Sequence, residues 1–268
     1  MTEVTHAAIA RNFVEARKEA RGLQDYPGPV PESLAEGYAV QDAAMALLGE
    51  SVGGWKVGRL PAPLVERYGA ERLAGPIFAS TIKPMSSDAM GLIFADGFGA
   101  AEAEFLLRVG QAPDPAKTRY SLNEAAALID AVHIGVEIAS SPFAGINRLG
   151  PAVTVSDFGN NNGLLIGPAI NDWQSLAFAE EEITVRIDGA TVGSGRASSF
   201  PDGPIGSVRF LLENLAQRKI PLRAGAWISS GAVTGVHEVV AGQQVIADFG
   251  SMGLLECRIV KQEAEQII

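Results

Sequence analysis

The sequence predicts an α+β fold, with a β-rich core behind a helical N-terminal unit, and three observations carry that expectation. Residues 5–21 and the stretch after Ser33 repeat apolar side chains at helical spacing. Beyond Gly53-Gly54 the texture changes to short apolar runs punctuated by glycine, the pattern of strands. Of 268 residues, 47% are hydrophobic and 19% charged, a balance that suits one large buried core. We place the boundary near residue 50, giving a helical unit over 1–50 and a β-rich core over 51–268.

In the first predicted helix, 5–21, Ile9, Phe13, Val14 and Ala20 fall near one face. A Pro/Gly loop, YPGPVP, separates it from a second helix that Ser33 and Glu36 open as a capping box. Tyr38, Met45 and Leu48 line the apolar side of that helix. The core reads as strands WKVG, PIFAST, GLIFA and AAEAEFLLRV, with a helix over 62–74 between the first two. Ser121 and Glu124 form another capping box, opening a helix to about Val132, and HIGVEIA follows as a strand. SDFGNNNG, residues 156–163, has turn chemistry, because Asn and Gly both accept left-handed backbone. LLIGPAI and EITVRIDG read as strands, with Asp188-Gly189 turning a hairpin into ATVGSGRAS. PIGSVRFLLENLAQRK is a helix stacking Val208, Leu211, Leu212 and Leu215, and AWISSG, QQVIADFG and LLECRIV close the chain as strands.

Composition narrows the function. A net charge of −10 and a pI near 4.9 leave no footprint for nucleic acid, whose phosphates demand basic patches. An anionic substrate would need a local positive centre, either a metal or a lysine. Cys257 is the single cysteine, so no intramolecular disulfide forms, in keeping with a reducing cytosol. Three histidines (His6, His133 and His237) and no C-x-x-C argue against zinc. The charged N-terminus lacks a signal core, and no run approaches the roughly 18–20 apolar residues of a membrane span. A soluble, cytoplasmic protein is expected.

The most informative chemistry lies in Glu102-Ala103-Glu104, followed by Glu137, each in an apolar strand-like run where a carboxylate is costly unless neutralised. On a strand, residues two apart share a face, about 6.5–7 Å along the chain; on a helix they diverge. A third acid on a neighbouring strand would complete an oxygen-only claw for a hard divalent cation. The alternative is an acidic pair on the solvent side of an amphipathic strand. Lys56, in GGWKVG, is either an edge-strand lysine or an ammonium placed over a pocket. The Ser229-Ser230-Gly231-Ala232 turn presents N–H and hydroxyl groups suited to an anion, or is an ordinary turn. Asn160-Asn161-Asn162-Gly163 lines a cleft or forms a structural turn. His133 shares strand parity with Glu137, which would bring it near the acids, and His237 follows the small-residue turn. Gly193-x-Gly195 lacks the helix of a dinucleotide fingerprint, and no local signature suggests a Ser-His-Asp or Cys-His set.

In this order, YAVQ (38–41), GWKVG (54–58), GPIFAST (75–81), AEAEF (101–105) and VEIASS (136–141) resemble the hydratase/decarboxylase branch of the fumarylacetoacetate hydrolase superfamily, the 2-keto-4-pentenoate hydratase-like proteins. GPIGSVRFLLENL (203–215), SSGAVTG (229–235) and AGQQVIADFGSMG (241–253) continue the likeness, which spans roughly residues 35–260. The resemblance implies a mixed, rolled β core with a helical N-terminal part. It implies Mg²⁺ or Mn²⁺ held by Glu102, Glu104 and Glu137, and a substrate faced by Lys56 and by the turn at Ser230-Gly231. It also implies a homo-oligomer. Three departures stand out: Arg59-Leu60-Pro61 replaces a family Thr-Ser, and Asn161-Asn162-Gly163 replaces a Ser-Ser-Gly turn. The histidine that assists water in acyl-cleaving relatives has no counterpart, which disfavours hydrolysis.

The expected activity is therefore hydration of a short 2-hydroxy-2,4-dienoate to a 4-hydroxy-2-oxo acid, in aromatic-compound catabolism. Lys56 would anchor the carboxylate or relay a proton, its pKa lowered by burial and the metal. Asn161 and Asn162 would line the substrate site. The alternative is a 4-oxalocrotonate-type decarboxylase, with Arg59 a candidate for a distal carboxylate. A third reading keeps the fold and the metal without turnover.

Overall fold

The structure is a computed structural model that describes residues 1–265. Two helices come first: α1 (Glu3–Lys18), capped by Thr2, and α2 (Leu34–Leu48), capped by Ser33. The Ser33 hydroxyl accepts from Glu36 N, but the Glu36 carboxylate accepts from Glu32 N and the N-terminal ammonium, so only half of the expected capping box forms. Helix α1 ends earlier than its apolar spacing predicts, because Ala20 adopts φ +50°.

The core elements follow in order: β1 (Val52–Arg59), α3 (Ala62–Tyr68), β2 (Arg72–Phe78), β3 (Ile82–Pro84), β4 (Met90–Ile93), β5 (Phe98–Val109), α4 (Leu122–Ala126), β6 (Ile129–Ser141) and α5 (Pro151–Ser156). Then come β7 (Asn161–Ala169), β8 (Ile183–Ile187), β9 (Ala190–Gly195), α6 (Gly203–Gln217), β10 (Trp227–Ser229), β11 (His237–Glu238), β12 (Gln244–Asp248) and β13 (Leu254–Lys261).

Several boundaries differ from expectation. The helix predicted over 62–74 stops at Tyr68, where Gly69 takes a left-handed C-cap, and residues 72–74 already pair with β1. The helix opened by Ser121 has its full capping box but ends at Ala126, because Ile129 pairs with Val109 and draws the chain into β6. Residues 161–163, read as part of a turn, begin β7, and the short helix α5 was not anticipated. All six α5 residues are buried, so it carries no amphipathic period to find. The Asp188-Gly189 hairpin is as predicted, with both residues at positive φ.

The strands form two mixed sheets. The larger runs β2-β1-β10-β5-β6-β7-β3, with β11 beside β5; the smaller runs β4-β13-β12-β8-β9. Along β5, Ala101, Ala103, Phe105 and Leu107 face the smaller sheet, packing with Val185, Val245, Ala247 and Leu255. Val208, Leu211, Leu212 and Leu215 of α6 join the same core. The alternate residues of β5 face the other way, so Glu102 and Glu104 share a face with Leu106. Leu106 packs against Ile77 of β2 and Leu164 of β7. Those two strands lie on opposite sides of β5 in the sheet order, so their contact shows the sheet rolled on itself, with the acids inside. Ile9, Phe13 and Val14 of α1 and Val40 of α2 pack with Ala100, Ala139 and Phe158.

Candidate metal centre

Glu102 of β5 lies directly opposite Glu137 of β6, and Glu104 lies opposite Gly135. Strand alternation and this register bring the three carboxylates together, with a ligand oxygen from each lying within 4.8 Å of the others. They are 4%, 0% and 0% exposed for Glu102, Glu104 and Glu137, so the solvent-face alternative for the acidic pair is ruled out. Among the described residues they form the one cluster of this kind.

Neighbouring groups tie down one oxygen on each of two acids. Ser229 Oγ and Gly231 N (2.8 Å) donate to Glu104 Oε2. Asn161 Nδ2 donates to Glu137 Oε1 at 2.9 Å, and Lys56 Nζ pairs with the same oxygen at 3.0 Å. Glu104 Oε1 and Glu137 Oε2 are left buried with no partner. An unpaired buried acceptor costs about 1–3 kcal/mol, and more when charged. Two such oxygens beside a third carboxylate, all from hard donors, fit a divalent cation of the Mg²⁺ or Mn²⁺ type.

The electrostatics agree. Burial pushes the Glu102 carboxyl up to about 7; Lys56 opposes the rise and Glu137 reinforces it. Burial raises Glu104 well above the usual carboxylate range, aided by the charges of Glu137 and Glu102. Lys56 departs from expectation. Its burial alone would lower its pKa, but Glu137, Glu102 and Glu104 together outweigh that, and the ammonium is held above its ordinary value.

Lys56 is set in place by β1, opposite Gly75 of β2. A Cβ on Gly75 would sit 2.1 Å from the Phe158 carbonyl, so only glycine lets the segment 157–160 come this close. In that segment Phe158, Gly159 and Asn160 all have left-handed backbone, at φ 55°, 63° and 58°. The Phe158 conformation costs about 1–3 kcal/mol, which surrounding contacts must offset. In return, Asn160 Oδ1 accepts from Lys56 Nζ at 3.1 Å, and Asn160 Nδ2 donates to Asn147 Oδ1 at 3.0 Å.

The expected substrate residues divide. Asn161 faces the acids, whereas Asn162 points to the opposite side of β7. There it accepts from Arg17 Nη1 at 3.1 Å, donates to the Leu92 carbonyl at 2.7 Å and lines a separate cavity of about 290 Å³. Gly231 reaches Glu104 through its N–H, and the Ser230 hydroxyl is buried and unpaired. Arg59 stacks 4.8 Å over the Phe200 ring, on the face of β1 opposite Lys56. The Phe200 ring in turn borders Gly231, 3.6 Å from where a Cβ on that glycine would stand.

His133 does not join the acids. Its Nδ1 meets the Gly167 carbonyl at 2.8 Å and its ring packs edge-on against Trp227, with three residues of strand intervening between it and Glu137. His237 Nε2 meets Thr234 Oγ1 at 2.9 Å, and burial lowers its pKa. Ser229 and Asn160 were named within their runs but not singled out as individual contacts. Their runs were visible, but which neighbour faces inward depends on register.

No protein-family profile and no curated protein matches this sequence. Solved structures do. 4-Oxalocrotonate decarboxylase from Pseudomonas putida G7, complexed with magnesium and adipate, superposes with a TM-score of 0.82 at 20% identity, over 97% of this chain and 99% of that one. The same enzyme complexed with calcium and acetate gives 0.80 at 19%, with equal coverage. Fumarylpyruvate hydrolase from Pseudomonas aeruginosa, in complex with Mn²⁺ and pyruvate, gives 0.55 at 18% over 78% of this chain and 89% of that one. At such identities the likeness is one of architecture, and the architecture agrees with what the motifs implied: this chain has the fold of the fumarylacetoacetate hydrolase superfamily.

Proposed function

We propose that this protein is a divalent-metal-dependent lyase that hydrates a short 2-hydroxy-2,4-dienoate to a 4-hydroxy-2-oxo acid. The observation that carries the reading is the buried triad of Glu102, Glu104 and Glu137, with two free oxygens beside a protonated Lys56. Glu102, Glu104 and Glu137 would hold Mg²⁺ or Mn²⁺. When bound, the cation would supply Lewis acidity for charge developing on the substrate's C2 oxygen.

The remaining work falls to side chains of this chain. Lys56 would serve as a proton relay, its ammonium set 3.0 Å from Glu137 Oε1. As the dienol ketonises, the Lys56 ammonium would give a proton to C5 and recover the one released by the C2 hydroxyl, so the lysine ends as it began. Asn160 holds that ammonium in place through its amide oxygen. Water then adds across C3=C4 of the resulting unsaturated ketone, its hydroxyl going to C4 and its proton to C3, so the net change is one water gained. Asn161 and Gly231 fix the orientation of the acids beside the substrate. Ser230, with its unpaired hydroxyl, is the residue of the turn with a donor left for the substrate. A cytoplasmic homo-oligomer belongs to the same proposal.

Decarboxylation of a 2-oxo-enedioate is the second reading. It is favoured by the full-length likeness to 4-oxalocrotonate decarboxylase, since the same electron sink would stabilise the dienolate left by CO₂ loss. The test is the decay of dienol absorbance with fresh 2-hydroxypenta-2,4-dienoate in Mg²⁺, Mn²⁺ or EDTA, with products identified by mass. A metal-dependent gain of one water is expected. Absence of turnover there, with CO₂ released from 4-oxalocrotonate, would replace hydration by decarboxylation. Silence on both would leave the non-catalytic reading.

A further inference from the structure

We propose that Arg17, on the N-terminal helix α1, is a positioning residue of the acid site, holding the segment 157–162 so that Asn160 and Asn161 meet Lys56 and Glu137. The functional consequence rests on the metal-site reading above. The Arg17 guanidinium forks onto the fully buried Asp157, with Nε to Oδ1 at 2.6 Å and Nη2 to Oδ2 at 3.0 Å. Its Nη1 donates to Asn162 Oδ1 at 3.1 Å and its Nη2 to the Ser140 carbonyl at 3.1 Å. The same group stacks 5.0 Å from the centre of the Phe158 ring.

These contacts bracket the left-handed residues 158–160, with Asp157 before them and Asn162 after. Between the brackets lie the two amides that reach the site: Asn160 to Lys56 and Asn161 to Glu137. Ser140 belongs to β6, the strand that carries Glu137, so one guanidinium joins the segment to the strand it must meet. A planar fork is what satisfies these acceptors together. Lysine, with a single ammonium, cannot reproduce it. The helical unit, which supplies no side chain to the acids, would thus tune them through one residue.

The test compares full-length wild type, Arg17→Lys and Arg17→Ala with Leu215→Ala, a buried α6 residue outside this network, by Mn²⁺ calorimetry and thermal unfolding. Leu215→Ala should lower the unfolding temperature and leave Mn²⁺ affinity unchanged. Both Arg17 variants should weaken affinity about tenfold or more, as loss of a group that orients ligands does. In an Asn161→Ala background the further loss should be less than about twofold, because both act through the same contact. Should Arg17→Ala fail to fold, Arg17→Lys carries the comparison. Wild-type affinity in the folded Arg17 variants, or losses that simply multiply, would overturn the proposal. If wild type binds no divalent cation, the metal reading falls, and a crystal structure of Arg17→Lys then decides positioning. Displaced Asn160 and Asn161 amides support it; unchanged contacts to Lys56 and Glu137 overturn it.

Discussion

Burial raises the carboxyl pKa of both Glu102 and Glu104, and that sets a pH dependence whose sign can be worked out. Glu102 rises from the ordinary carboxylate range to about 7. A raised carboxyl binds more protons in the folded state, so its stabilising contribution is complete below about pH 4.5 and is lost as pH rises through 7. The whole loss is of order 3 kcal/mol for a shift of this size. A divalent cation should remove the penalty by replacing the protons. The rise in unfolding temperature on adding Mg²⁺ should therefore be small at pH 5.5 and grow through pH 8, as read by thermal unfolding with and without EDTA. A shift independent of pH would contradict the assignment of Glu102. The E-x-E pair was legible because period-two alternation is local. That Glu137 sits opposite Glu102 is a matter of register, and the lysine's raised pKa followed only once three carboxylates were seen around it.

At the scale of elements, the site depends on how closely β1, β2 and the segment 157–160 approach one another. Gly75→Ala would place a methyl 2.1 Å from the Phe158 carbonyl and push that segment off Lys56. We expect a destabilisation of about 1–3 kcal/mol, measured by denaturant unfolding, together with weaker metal binding. Unchanged stability and affinity would show that Asn160 and Asn161 do not depend on this contact. Strand and helix cores were readable from periodicity, and α6 was recovered with all four of its named apolar residues buried. Boundaries were not. In ERLAG and in the stretch after Ala126, apolar spacing continues from helix into strand, and only pairing with β1 or β5 decides where one stops. Asn161 to Gly163 carry turn-forming residues yet join β7, because pairing with β6 overrides local preference.

Across the whole molecule, the eight-stranded sheet joins segments far apart in sequence. The parallel β1–β10 pair sets Lys56 beside Ser229, and β10 in turn sets Ser229 against β5, where it reaches Glu104. No local pattern announces such pairings; here the motif order implied the rolled core, and the contact of Ile77 with Leu164 shows it. Closing the roll buries three acids in a chain of net charge −10. That placement is intelligible if a cation belongs among them. The most direct measurement is isothermal calorimetry of Mn²⁺ and Mg²⁺ binding to wild type and to Glu102→Gln. One site per chain, weakened at least about tenfold by the substitution, is the predicted result; no binding to wild type, or equal binding to both proteins, would contradict a metal centre at Glu102, Glu104 and Glu137.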